Sequence, residues 1–199
     1  MPSNPFRSAQ FVLSASQLRQ LPADEGAEIA FAGRSNAGKS SALNAICEQH
    51  GLARTSKTPG RTQLLNVFAL DGEQRLIDLP GYGYAKVPEE MREHWRKLID
   101  AYLRERESLR GVVLIMDSRH PLKDFDRQML TYCTGIELPC HVLLTKADKL
   151  SRSEAAKTLA AARKECAANG WPAQMQLFSA QAKTGVDEAR TALGNLLNA

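Results

Sequence analysis

The sequence predicts an α/β protein of three layers: a mostly parallel six-stranded sheet with one antiparallel edge strand, and helices on both faces. Three observations predict it. Short apolar runs alternate with amphipathic stretches along most of the chain. One run, residues 28–32, passes straight into a glycine-containing turn and then a helix. Asp71-Gly72 lies between two further runs and marks a hairpin, so that pair is antiparallel.

Residues 1–25 are weakly patterned and read as an N-terminal extension, with a short helix around residues 16–20; residues 26–199 read as a single domain. Residues 28–32 form a strand and residues 40–47 a helix with Leu43 and Ile46 inward. Residues 51–62 are polar, basic and unpatterned. Two strands follow, 63–70 and 74–78. Residues 88–107 read as a long helix, with Met91, Trp95, Leu98, Ile99, Tyr102 and Leu103 on one face. Its balanced charges mark a solvated opposite face. Residues 112–117 are a continuous apolar strand of the kind buried in a parallel sheet. A helix over 123–133 and a strand over 141–145 come next. Ser151-Arg-Ser-Glu154 is a capping box that opens a helix with Ala155, Leu159, Ala162 and Cys166 inward. Residues 175–178 are the last strand and 186–197 the last helix.

The composition fits this reading. The chain has 199 residues, 43% hydrophobic and 24% charged, which suits one folded domain and argues against wholesale disorder. The net charge of +4 permits an RNA partner without demanding one. No apolar run approaches the roughly 18 residues that cross a membrane, and the N-terminus carries no secretory h-region. Cys47, Cys133, Cys140 and Cys166 form no CxxC pair and read as reduced core residues of a cytoplasmic protein. Trp95 and Trp171 read as core or partly core.

Residues 33–40, Gly-Arg-Ser-Asn-Ala-Gly-Lys-Ser, match GxxxxGK[ST] without a mismatch. The glycines let the backbone wrap phosphates with its N–H groups inward. Lys39 reaches the β- and γ-phosphates, the Ser40 hydroxyl binds Mg²⁺, and the following helix adds its positive end. Gly33, Arg34, Ser35, Asn36, Ala37, Gly38, Lys39, Ser40 and Ser41 are therefore the phosphate-binding candidates, and the fold is that of a P-loop NTPase.

Three later segments point to guanine. Asp78-Leu79-Pro80-Gly81 ends a strand; Asp78 can hold Mg²⁺ through water and the Gly81 N–H can meet the γ-phosphate. Thr145-Lys146-Ala147-Asp148 ends another. The Asp148 carboxylate only accepts, which suits the N1–H and N2 amino donors of guanine, and adenine has no such pair. Lys146 can lay its stem along base or ribose. Phe178-Ser179-Ala180 follows the last strand and can present a backbone N–H to the guanine oxygen. Each segment stands at the C-terminal end of a strand, the ligand-binding edge of a doubly wound sheet. Together they describe a Ras-like G domain.

The set GRSNAGKS, TPGRTQ, DLPGYGYA, TKAD and FSA closely resembles the EngB (YihA/YsxC) family, a branch of the TrmE–Era–EngA–EngB–septin-like GTPases within the translation-factor-related class. The resemblance covers roughly residues 8–197. It implies a cytoplasmic protein that binds GTP or GDP with Mg²⁺, works in assembly of the large ribosomal subunit, and is needed for normal cell division and septation. It implies that Gly60, Arg61, Thr62, Gln63 and Leu64 are the first switch, with Thr62 joining Ser40 on Mg²⁺. It makes residues 78–81 the second switch.

A gap remains in the chemistry. Phosphoryl transfer is mostly positioning and charge stabilisation. Ras-type GTPases orient water with a Gln just after the second-switch glycine, and here that position is Tyr82. Intrinsic hydrolysis is therefore expected to be slow, with Lys39, Thr62, Gly81 and Asn36 as the catalytic candidates. Asn36 stands where related GTPases hold a monovalent cation, so K⁺ is a candidate cofactor; the other reading is that Asn36 suits the turn. A group supplied in trans, or Arg61, are further sources.

The partner implied is the large ribosomal subunit or its assembly intermediates, rRNA and ribosomal protein, bound by a monomer without a membrane span. Arg54, Lys57 and Arg61 make residues 51–66 locally basic, and Tyr82, Tyr84 and Lys86 flank second-switch glycines. Cations neutralise RNA phosphates and exposed aromatics stack on bases. The alternative is that the tyrosines pack beneath the switch. Two other functions stay open: a nucleotide-sensing ribosome- or RNA-binding scaffold in which hydrolysis is incidental, and an ATP-using phosphotransferase, which Asp148 argues against.

Overall fold

The computed structural model describes residues 3–54, 64–82 and 88–199. Its strands are β1 (Gln10–Ala15), β2 (Ala27–Gly33), β3 (Leu65–Ala69), β4 (Gln74–Asp78), β5 (Leu109–Asp117), β6 (Cys140–Thr145) and β7 (Gln174–Leu177). Its helices are α1 (Lys39–Cys47), α2 (Glu89–Glu105), α3 (Asp124–Gly135), α4 (Arg152–Ala168) and α5 (Val186–Leu197). The sheet runs β1-β3-β4-β2-β5-β6-β7. β4, β2, β5, β6 and β7 pair in parallel, and β3 is antiparallel to both of its neighbours.

Among the described residues the sheet therefore has seven strands, not six, and the antiparallel hairpin strand is not its edge. β1 lies outside it. A bulge between Phe11 and Leu13 breaks the period-two alternation, so the segment carries no strand pattern. Phe11 and Val12 are exposed, Leu13 is half-buried and only Ala15 is buried, as an edge strand allows. The segment before it is also tied down: Phe6 is buried, and the Asn4 side-chain amide donates to the Ile46 carbonyl at 3.0 Å.

Alternation along the central strands creates the layers. Ala30 and Ala32 of β2 and Val112, Leu114 and Met116 of β5 face the core under α2, α3 and α4. Ile29, Phe31, Val113 and Ile115 face the opposite core, under α1 and α5. Trp95, Leu98, Tyr102 and Leu103 supply the buried stripe of α2, while Ile99 is only partly covered. Ser151 caps α4 through the reciprocal bonds of its capping box: Ser151 N to Glu154 Oε2 at 2.8 Å and Glu154 N to Ser151 Oγ at 3.2 Å. The Asp71-Gly72 turn closes with Leu70 N donating to Gln74 O at 2.8 Å. The four cysteines are free thiols. Trp171 is half-buried, its indole N–H donating to Thr131 Oγ1 at 3.1 Å.

One buried feature has no signal in the apolar pattern. Glu28, the second residue of β2, is fully buried. Its carboxylate accepts from Arg75 Nε at 2.8 Å, Arg106 Nη2 at 2.7 Å and the Tyr102 hydroxyl at 3.0 Å. Arg106 also reaches the Pro22 carbonyl at 2.8 Å, and the Asp24 carboxylate accepts from the Glu107 and Ser108 amides. This cluster clamps residues 22–25 to the N-terminal end of the parallel strands. The opposite, C-terminal end is left to the functional site.

Candidate functional site

The phosphate loop joins β2 to α1, and its shape needs glycine at two places. A side chain at Gly33 would stand 2.9 Å from the Ile115 carbonyl, because β2 and β5 approach closely there. Gly38 has φ +95° and caps α1, a conformation other residues avoid. Asn36 has φ +63°, one of the few side chains that tolerates this region. That geometry by itself explains an asparagine.

Lys39 opens α1 and its ammonium donates to Asp78 Oδ1 at the end of β4. Both side chains are largely buried. The Ser40 hydroxyl lies 3.4 Å from the Arg54 carbonyl, in the loop that Asn44 pins through two bonds with Ala53. Ser41 is on the exposed side of α1. Leu79 is buried, continuing the ladder by donating to the Phe31 carbonyl at 3.0 Å, and Pro80 is buried beside it. Gly81 lies against Ser35.

β6 delivers the second group. The Thr145 hydroxyl is within hydrogen-bond reach of the Ala37 and Met116 carbonyls, so it ties the phosphate loop to β6 and β5. Lys146 sits in the left-handed region with φ +58°, and its ammonium reaches the Asn36 carbonyl at 2.7 Å and Asp117 Oδ2 at 3.2 Å. Burial pushes the Asp117 carboxyl up, but Arg119 and Lys146 outweigh it and hold the group well below the usual carboxylate range. The sequence reading missed Asp117; an acid ending an otherwise apolar strand at the ligand edge was the available signal.

Asp148 is exposed on a short turn after β6. The Ser179 hydroxyl donates to it at 2.6 Å and is the main reason its pKa is lowered. The Ala147 N–H donates to the Phe178 carbonyl at 3.1 Å, joining this turn to the end of β7. The Ser179 N–H is taken by the Thr184 carbonyl at 2.9 Å. Ala180 is half-buried beside it.

Tyr82 departs from the stacking expectation. It is half-buried, its ring lies 5.6 Å from that of Phe125, and its hydroxyl donates to Asp126 Oδ1 at 3.0 Å. It packs beneath the second switch, because α3 offers both an apolar wall and a buried acceptor. Leu64, just before β3, is half-buried. Gly60, Arg61, Thr62 and Gln63, with Lys57, Tyr84 and Lys86, lie outside the described residues.

Four motifs far apart in the chain thus converge on one end of the sheet. The chain matches the 50S ribosome-binding GTPase family over residues 28–146. It is 60% identical over 190 residues to the probable GTP-binding protein EngB of Stenotrophomonas maltophilia, covering 95% of each chain. The chain belongs to the EngB family of GTP-binding proteins. The Xanthomonas oryzae EngB is 56% identical over 193 residues, covering 96% of this chain and 93% of the relative. The Coxiella burnetii protein is 52% identical over 188 residues, covering 94% and 92%. Among solved structures, a probable EngB superposes with TM-score 0.68 at 21% identity, covering 86% of this chain and 99% of that one. Era in complex with MgGDPNP and a segment of 16S ribosomal RNA superposes with TM-score 0.64 at 18% identity, covering 85% and 56%. These likenesses speak to fold. As an EngB-family member the chain is a GTPase that takes a guanine nucleotide. Among the described residues no helix is long and apolar enough to cross a membrane.

Proposed function

We propose that this GTPase hydrolyses GTP slowly, as a cytoplasmic and monomeric switch in assembly of the large ribosomal subunit, with a role in cell division and septation. The observation that carries the switch reading is the convergence at the strand C-termini, above all the Lys146–Asn36 contact that joins base motif to phosphate loop. The family's description as 50S ribosome-binding supports the partner.

In this reading Gly33 to Ser41 wrap the phosphates, with Lys39 on the β- and γ-oxygens. Lys39 must then leave Asp78, exchanging one anionic partner for another. Asp148 accepts from guanine N1 and N2 while Ser179 holds its other side in place. With the Ser179 N–H engaged by Thr184, the Ala180 N–H is the donor left for the guanine oxygen.

The donor set fits Mg²⁺: the hydroxyls of Ser40 and Thr62, and through water the largely buried carboxylate of Asp78, are hard oxygen ligands. When bound, Mg²⁺ neutralises charge on the phosphate oxygens. Gly81 donates its N–H to the γ-phosphate. The Tyr82 hydroxyl is committed to Asp126, so no side chain at that position orients water, and turnover is slow without a further group. A K⁺ ion held by Asn36 would supply positive charge there.

The test is co-sedimentation with mature and immature large subunits, using a non-hydrolysable GTP analogue, GDP or no nucleotide. Binding selective for the analogue supports the switch. Binding indifferent to nucleotide favours a scaffold in which hydrolysis is incidental.

A further inference from the structure

Asp126 stands outside every motif, yet it is 1% exposed. Two donors converge on its carboxylate. The Lys123 N–H donates to Oδ2 at 3.0 Å, capping α3, and the Tyr82 hydroxyl donates to Oδ1 at 3.0 Å. Tyr82 is in turn held from its backbone: its N–H donates to the Gly33 carbonyl at 3.2 Å, and its carbonyl accepts from the Ser35 N–H at 2.8 Å. So the residue after Gly81 is fixed at both ends, to the phosphate loop by its main chain and to α3 by its side chain.

We propose that the Tyr82–Asp126 hydrogen bond is a latch that pre-positions the Gly81 N–H beside the phosphate loop and so adds affinity for a nucleoside triphosphate that a diphosphate does not gain. Glycine itself cannot hold a place, because it has no side chain to pack. Its immediate neighbour supplies the anchor. A donor that is already ordered is used at a smaller entropic cost than one that must be ordered on binding. Only a triphosphate has the γ-phosphate that this N–H meets, so the benefit is confined to it. Tyr82 is a positioning residue; it touches no reacting atom. The inference rests on the proposed Gly81–γ-phosphate contact.

The experiment measures dissociation constants of N-methylanthraniloyl-labelled GDP and of the matching non-hydrolysable GTP analogue on the full chain. Tyr82→Phe keeps the ring on Phe125 and deletes only the donor. Asp126→Ala removes both acceptor oxygens. Both are expected to weaken the analogue about three- to tenfold, the worth of one hydrogen bond, and to leave GDP unchanged. Asp126→Glu is expected to keep part of the analogue affinity that Asp126→Ala loses. Equal weakening of both nucleotides, no change, or tighter analogue binding would each overturn the latch. Gly81→Pro removes the N–H itself and tests the underlying reading separately. If that variant, still folded by its melting temperature, keeps the analogue affinity, the Gly81 contact is wrong. If it loses that affinity while Tyr82→Phe and Asp126→Ala keep it, only the latch fails.

Discussion

The Lys146 ammonium lies 2.7 Å from the Asn36 carbonyl, so a residue of the guanine motif is bonded directly to the phosphate loop. Asp117 holds the same ammonium from the other side at 3.2 Å. In the proposed reading, base recognition and phosphate binding are therefore joined through the Lys146 ammonium and the Thr145 hydroxyl.

Lys146→Met tests that joint. It keeps the apolar stem and removes the donor, losing a charge-assisted bond worth about 1.5–3 kcal/mol. GDP and GTP affinities are expected to fall together by roughly ten- to a hundredfold. Stopped-flow dissociation of labelled GDP measures it; an unchanged rate would show that the contact does not matter for binding.

Asp148→Asn should exchange the preferred base. The amide presents a donor where the carboxylate only accepted, so the guanine 2-amino group meets a like donor. Xanthine, with a carbonyl at that place, fits better. We expect guanine nucleotides to weaken by about 2 kcal/mol or more and xanthosine diphosphate to gain. Competition binding of the two nucleotides decides, and retained guanine preference would place base recognition elsewhere.

Glu28→Ala should destabilise without touching activity per folded molecule. It strands Arg75 and Arg106, whose side chains are only 12% and 9% exposed. Breaking a buried pair in this way costs about 3–5 kcal/mol, a melting temperature lower by roughly 10 °C. Thermal denaturation beside GTPase turnover separates the two effects.

Turnover in KCl against NaCl tests the monovalent-cation reading of Asn36. Faster hydrolysis in KCl, lost in Asn36→Ala, is the expected outcome. Equal rates would leave Asn36 with the role its left-handed backbone already explains.

The elements with strong local patterns were legible in advance. The strand Gln74–Asp78 and the helix Val186–Leu197 have the bounds their apolar periodicity suggests. The capping box at Ser151 is likewise present, because its two bonds join residues three apart. β1 was not legible: its bulge breaks the alternation, and an edge strand buries little. The buried role of Glu28 was not legible either, since nothing nearby in sequence announces two arginines and a tyrosine arriving from elsewhere in the fold.

The sequence alone determined the chemistry that short strings can carry. A run of eight residues encodes a phosphate loop because its glycines, lysine and hydroxyl act through backbone only a few bonds away. Tertiary structure decided how these strings are joined. Tyr82 and Asp126 are 44 residues apart, and Asn36 and Lys146 are 110 apart. Such pairs meet only because the parallel sheet brings its strand ends to one edge and α3 packs beside it, and one residue's neighbours in sequence hold no record of that packing.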